Sequence, residues 1–364
     1  MKISWRRDGQ RNAARVLALG ALLLGGAAAC EQVASPEFEP SASVASGGDI
    51  GGTVVNLQGQ PVAGALVSTP NGAQTTTNTS GSFVLNGLPP TSRLAVSVNA
   101  PGYDGTTAIY EVRAGVLLTR PIRIQPLAPP VVFPAGAGGT VPIAGGGQVI
   151  IPANAFPVPP ATPVTVRATY IDPGNPVQFS TAPGDFTGRT FANTLVQIQS
   201  YGMLTVDVRD PQGQQLDLSP GQQAALQFPA SGGTPPGTRP LWRFDALQGI
   251  WVEEGQVTVT PTTQNTTVGT LAPRRNVDVP FPPECISVQV LFAGTATPRT
   301  NEFVNAAGIS YAGGTGGWTN GNGIVQLRVR ASSQVLLRSG TAQQQVATPP
   351  PGTLGCPLVA TLSF

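Results

Sequence analysis

Apolar and polar residues alternate along this chain in short runs and almost nowhere fall at helical spacing. In "IGGTVVNLQGQPVAGALVSTPNGAQTTTNTSGSFVLNGLPPTSRLAVSVNAPGY", Val54 closes a short strand and Asn56-Leu57-Gln58-Gly59 makes a turn. Pro61, Val62, Ala65 and Val67 pattern the next strand, and residues 75–79 lead into a tight turn at Ser80-Gly81 before Phe83, Leu85 and Leu88. Leu94, Val96 and Val98 alternate up to the break Ala100-Pro101-Gly102-Tyr103, and two further strands are predicted near 107–113 and 116–124. About seven short strands at this spacing make a β-sandwich, placed at residues 49–126.

The alternation then restarts twice. After the proline-rich joint "PLAPPVVFPAG", residues 127–275 read as a second sandwich. It contains "GGTVPIAGGGQVIIPANAF", the strand and turn units of "GMLTVDVRDPQGQQLDLSPGQQAALQFPA", and a closing hairpin "LWRFDALQGIWVEEG". Residues 276–364 open with "CISVQVLFAGTATP". They carry "TNGNGIVQLRV", which parallels "TNTSGSFVLNG" of the first unit, and are read as a third, degenerate copy of it. The predicted architecture is all-β: tandem antiparallel β-sandwich domains after a signal segment and a flexible linker.

Composition supports this. Only 10% of residues are charged, less than helical surfaces normally carry, and the 45 glycines and 37 prolines suit many turns. The charge also divides unevenly. Lys2, Arg6, Arg7, Arg11, Arg15 and Asp8 precede Cys30, so the 20 basic and 18 acidic residues reduce to 15 and 17 beyond it, a net of −2. No nucleic-acid partner is expected from such a balance.

The basic start is followed by the apolar run "VLALGALLLGGAA", too short to span a bilayer comfortably, and then by small residues. This is the grammar of a secretory signal, assigned to residues 1–29. Ala27-Ala28-Ala29-Cys30 resembles the lipobox of bacterial lipoproteins, in which signal peptidase II cuts before a cysteine that becomes diacylated; Ala27 stands where that family usually has leucine. The resemblance implies a fatty-acylated Cys30 as membrane anchor, and Glu31 in place of aspartate implies the outer membrane where the cell has two. Residues 30–48, rich in Ser, Ala, Pro, Glu and Gly, read as a flexible tether.

Two further resemblances rest on motifs. "GTVVNLQGQPVAGALV", "TNTSGSFVLNGLP" and "VNAPGY" resemble the carboxypeptidase regulatory-like domain, a transthyretin-like sandwich. That module is not a peptidase but an accessory domain of secreted and surface proteins. Its wider fold group includes starch-binding-like domains, so it implies carbohydrate binding by fold analogy alone. "GGQVIIPANAF", "APGDF", "DPQGQQLDLSPGQQAALQFP" and the Trp242 to Trp251 hairpin resemble the β-sandwich region of cartilage intermediate layer proteins. No catalytic residues come with it.

The chain has three cysteines. With Cys30 acylated, Cys285 and Cys356 remain as an even pair in an oxidising compartment, either disulfide-bonded or two buried thiols. Three tryptophans are the candidate ligand-stacking residues. Trp242 and Trp251 flank the hairpin turn and either stack a sugar or staple the hairpin to the core. Trp318, in "GGTGGWTNGNG", is either exposed for a sugar or partner or folded over the sheet edge.

Much chemistry is excluded. The sequence has no histidine and its one lysine is Lys2, which removes histidine-based triads, histidine-ligated zinc, Schiff bases and Lys-Asn isopeptide bonds. Glu253 and Glu254 are adjacent on a strand and point to opposite faces. No metal, cofactor or catalytic residue is expected. The expected role is non-enzymatic: a lipid-anchored surface or periplasmic structural or adhesion module, whose partners are the membrane and an envelope protein or polysaccharide. The alternative is carbohydrate binding through the exposed aromatics.

Overall fold

The computed structural model describes residues 47–229 and 236–364. Signal, tether and Cys30 therefore lie outside the described residues, apart from the last two tether positions. The rest is β-structure with a single helical turn, Pro176–Phe179, which the sequence pattern does not announce.

The first module packs two sheets face to face. In one, Gly48–Val55 pairs antiparallel with Ser82–Leu88 and parallel with Leu117–Thr119 and Ile122–Arg123. In the other the order is Gln74–Thr76, Leu66–Ser68, Thr91–Asn99, Thr106–Val112. The alternating residues of the sequence meet between them: Ile50, Val54, Val67, Phe83, Leu85, Val96 and Val98 share one core. The third module repeats this order strand for strand. Pro283–Leu291 pairs antiparallel with Ile324–Arg330 and parallel with Leu358–Ser363. The second sheet runs Gly314–Trp318, Phe303–Gly308, Gln334–Ser339, Ala342–Ala347.

The correspondence reaches individual atoms. Asn78 Oδ1 accepts from the amides of Ser80 and Ser82, and Asn320 Oδ1 from those of Asn322 and Ile324. The glycines of these turns, Gly81 and Gly323, have φ of 71° and 68°. A Cβ on either would lie 2.6 Å from a backbone oxygen, that of Val54 or Val290. Only glycine fits that combination of left-handed backbone and close approach.

The middle module is one continuous eleven-stranded sheet curled around a core built from Val149, Val164, Val166, Val206, Leu226 and Phe228, among others. Its boundary differs from the sequence expectation. The strand Arg275–Phe281 pairs with Leu195–Arg209 and Gly237–Asp245, so the middle module ends at Phe281 and not at 275. The alternation of "RRNVDVPF" looks like the opening of the next unit, but its partners lie behind it.

The Cys285–Cys356 disulfide is formed, with Cα atoms 4.7 Å apart. It clamps the parallel pair of the third module, where Ser287 Oγ donates to the Cys356 carbonyl at 2.8 Å.

Candidate functional site

Of the side chains with most binding potential in the sequence, two lie inside the middle module and one at a seam between modules. Trp242 and Trp251 come together with Ile171, Phe186, Ile198 and Met203 in a second core of the middle module, and both are fully buried. Trp242 Nε1 donates to the Asp278 carbonyl at 3.4 Å, and the Phe244 ring lies 5.0 Å from that of Trp251. Of the two roles open to this hairpin, the structure selects the staple. Strand pairing opposes Phe244 to Trp251, so the rings cover each other and leave no face for a sugar.

Trp318 is likewise not exposed: 7% of its surface is accessible. It ends the third module's edge strand yet belongs to the core of the first module, with Phe303 packed edge-on at 5.5 Å. The Arg113 guanidinium of the first module lies 5.4 Å from the Trp318 ring, held by Glu111 at 2.8 Å and donating to Asn301 of the third module at 3.0 Å. Arg120 reaches the same place, stacked 4.3 Å over Tyr110 and 5.9 Å from Phe303. Of the alternatives open to Trp242, Trp251 and Trp318, burial favours the packing one in each case, and none of the three is an exposed ligand platform. The glycines beside Trp318 serve packing within its own module: a Cβ on Gly316 would lie 2.5 Å from the Phe303 ring and one on Gly317 2.9 Å from Val325.

Arginines that the sequence pattern does not single out join the first and middle modules. Arg93 makes a two-pronged ion pair with Asp185, one prong at 2.9 Å, and donates to the Gly249 carbonyl at 2.6 Å. Deeper in, Arg274 pairs with Asp104 at 2.7 Å and donates to the Gly105 carbonyl at 2.6 Å, while Thr205 donates to the other Asp104 oxygen at 3.2 Å. Burial pushes the Asp104 carboxyl up, and the Arg274 charge pulls it back. The Gly184 amide donates to the Thr107 carbonyl at 2.8 Å, so the middle module also closes the edge of the first module's sheet. The middle and third modules meet through Arg330 and Gln199, the Ser200 amide on the Ala312 carbonyl at 3.0 Å, and Phe281 against Tyr311. A signal for these joints does exist in the sequence. In a chain so poor in charge, "TSRLAV" and "APRRNVDV" set arginines inside or at the start of apolar strands, where a buried one needs a partner.

Where the three modules meet they enclose a cleft of about 1700 Å³, lined by Arg93, Arg120, Tyr170, Asp172, Phe303 and Arg338 among others. Its chemistry is mixed, and among the described residues no hydrogen bond joins a hydroxyl of its wall to an acidic side chain as nucleophile and base. The acidic candidates are occupied as local structure. Glu253 accepts from the Phe191 amide and Glu254 pairs with Arg275, on opposite sides of their strand. Asp210 caps its own turn through the Gln212 and Gln214 amides. Among the described residues no three His, Cys, Asp or Glu side chains gather as a metal site.

One buried acid stands apart. Asp278 is fully buried in the middle module, where Oδ2 accepts from Asn276 Nδ2 at 2.6 Å and Oδ1 has no partner. Ser200 Oγ completes the chain by donating to Asn276 Oδ1 at 2.7 Å. Burial with no cation alongside pushes the Asp278 carboxyl well up.

Against known proteins, residues 49–125 match the model of the carboxypeptidase regulatory-like domain. Cartilage intermediate layer protein 2 of Mus musculus is 28% identical over 197 residues, covering 49% of this chain and 17% of that protein. The Homo sapiens protein is 27% identical over 192 residues, covering 48% and 16%. The chain thus spans about a sixth of the length of these relatives. Among solved structures, the Bacillus anthracis TIE protein is 12% identical with a TM-score of 0.21, covering 88% of this chain and 51% of that one. The major pilin subunit BcpA of Bacillus cereus is 9% identical with a TM-score of 0.20, covering 87% and 98%.

Proposed function

We propose that this chain is a non-enzymatic structural module of the bacterial surface or periplasm, held at the envelope by an acylated Cys30. The observation that carries the reading is the placement of Trp318. The most exposed-looking aromatic of the sequence is inserted into another module's core, and Arg93, Arg113, Arg120 and Arg274 are likewise used as joints. Side chains that a binding protein would present outward instead fix three sandwiches to one another. A unit so joined holds what it carries at a set distance and orientation, which is the task of a spacer or adhesion stalk. The third module, with the first module's strand order and turn bonds, reads as a second regulatory-like module.

Metabolic labelling with an alkyne fatty acid tests the anchor. The wild-type chain should take the label and fractionate with membranes, and Cys30→Ala should do neither. Equal labelling of Cys30→Ala sinks the anchored reading.

A further inference from the structure

The first and third modules share their strand order, yet the same edge is closed in one and open in the other. In the first module the edge strand Thr106–Val112 has its outward carbonyls occupied: Thr107 by the Gly184 amide of the middle module and Ile109 by the Arg120 guanidinium. In the third module the equivalent strand, Ala342–Ala347, pairs with Gln334–Ser339 and hydrogen-bonds to no other strand among the described residues, with Leu358–Ser363 of the facing sheet packed nearby.

Which of its groups face outward follows from the hairpin. Gly340 and Thr341 form a two-residue loop between the paired Ser339 and Ala342. Pairs alternate from that closing pair between bonded and non-bonded. Ala342, Gln344 and Val346 therefore bond inward, while Gln343, Gln345 and Ala347 direct N–H and C=O to the outside.

The devices that normally blunt such an edge are missing. "AQQQVA" has no charge, no proline and no bulge in its register. Its three glutamines are exposed. We propose that this edge is an interface between two copies of this chain, joined as an antiparallel strand pair about a two-fold axis at Gln345.

The strand is self-complementary in that register. Gln345 faces Gln345 of the second copy and Gln343 faces Ala347, so all three outward residues are bonded. Nothing charged opposes itself across the seam. Arg338 lies one strand inward, opposite Gln343. The two Arg338 backbones would be three strand spacings apart across the sheet and four residues apart along it, roughly 20 Å in all, beyond a Debye length of about 8 Å. Pro349, Pro350 and Pro351 follow and confine the pairing to this segment.

The test is sedimentation equilibrium of the full chain carrying Cys30→Ala, so that acyl groups cannot drive association. The expected result is a dimer. Gln345→Lys should weaken it by roughly tenfold or more, because like charges then meet at the axis. Gln345→Glu should do the same, and an equimolar mixture of the two variants should recover dimer. Recovery requires both variants to be folded, so it separates a lost interface from a lost fold. A wild type that stays monomeric overturns the proposal, as does a dimer indifferent to both substitutions. Neither result bears on the anchor at Cys30.

Discussion

Thr319 occupies in the third module the position of Thr77 in the first. Thr77 Oγ1 donates to the Val62 carbonyl at 2.7 Å and accepts from the Ala65 amide at 2.9 Å; Thr319 Oγ1 donates to the Arg299 carbonyl at 2.7 Å and accepts from the Glu302 amide at 2.9 Å. Each hydroxyl ties the start of its turn back to the chain entering the module's second strand, Leu66–Ser68 or Phe303–Gly308, and each is buried. Replacing either by valine keeps the shape and leaves a carbonyl and an amide unpaired. Thr77→Val and Thr319→Val should each cost about 1–3 kcal/mol, measured by denaturant unfolding. The two losses should be similar in size, and a negligible cost at one site alone would break the equivalence.

The disulfide distinguishes the third module from the first. Cys285 and Cys356 close a loop of 71 positions in the third module, and the first module has no counterpart. Cys285→Ser with Cys356→Ser should cost about 4 kcal/mol in the chain-entropy account. Hydrogen exchange should show the loss of protection concentrated in Pro283–Leu291 and Leu358–Ser363, with the first module's strands little changed.

Asp278 gives the stability a pH dependence of unusual sign for an acid. Its folded carboxyl titrates well above the ordinary value of 3.8. As pH rises above about 4 the unfolded chain releases this proton while the folded chain keeps it, so unfolding is favoured. The contribution is complete below the unfolded pKa and disappears as pH climbs through the raised folded one. Asp104, also raised, acts in the same direction with Arg274 opposing it. Asp278→Asn should therefore gain stability relative to wild type as pH increases from 4. Unfolding curves for the two proteins that stay parallel from pH 4 to 8 would refute the assignment.

The two ion pairs of the first seam should differ sharply. Arg93 and Asp185 retain 29% exposure each, so solvent screens them, and Arg93→Ala should cost no more than about 1 kcal/mol. Arg274 and Asp104 retain 8% and 5%, and Arg274→Met strands a buried carboxylate at about 3–5 kcal/mol. Chemical denaturation of both variants gives the comparison, and equal costs would contradict it.

The strands and turns were legible because their period of two and their Asn, Gly and Pro punctuation are local. Val54, Leu85, Val96 and Val288 all lie where alternation puts them, inside. The end of the middle module was not legible. Arg275–Phe281 alternates as well as any opening strand, and its pairing with Gly237–Asp245 is a long-range fact. The site was least legible of all. A tryptophan among glycines looks exposed until Phe303 and a neighbouring module's Arg113 close over it, and no local pattern encodes that neighbour. The arginine joints carried a readable cue in low overall charge, but their partners Asp104 and Asp185 could be assigned only in three dimensions.

The central claim is that these joints make residues 47–364 act as one mechanical body, and scanning calorimetry tests it most directly. Chains of separate domains commonly depart from two-state unfolding. The wild type should nonetheless melt in a single transition with calorimetric and van't Hoff enthalpies in agreement, and Trp318→Ala should split it. Separate transitions in the wild type, unchanged by Trp318→Ala, would contradict the account.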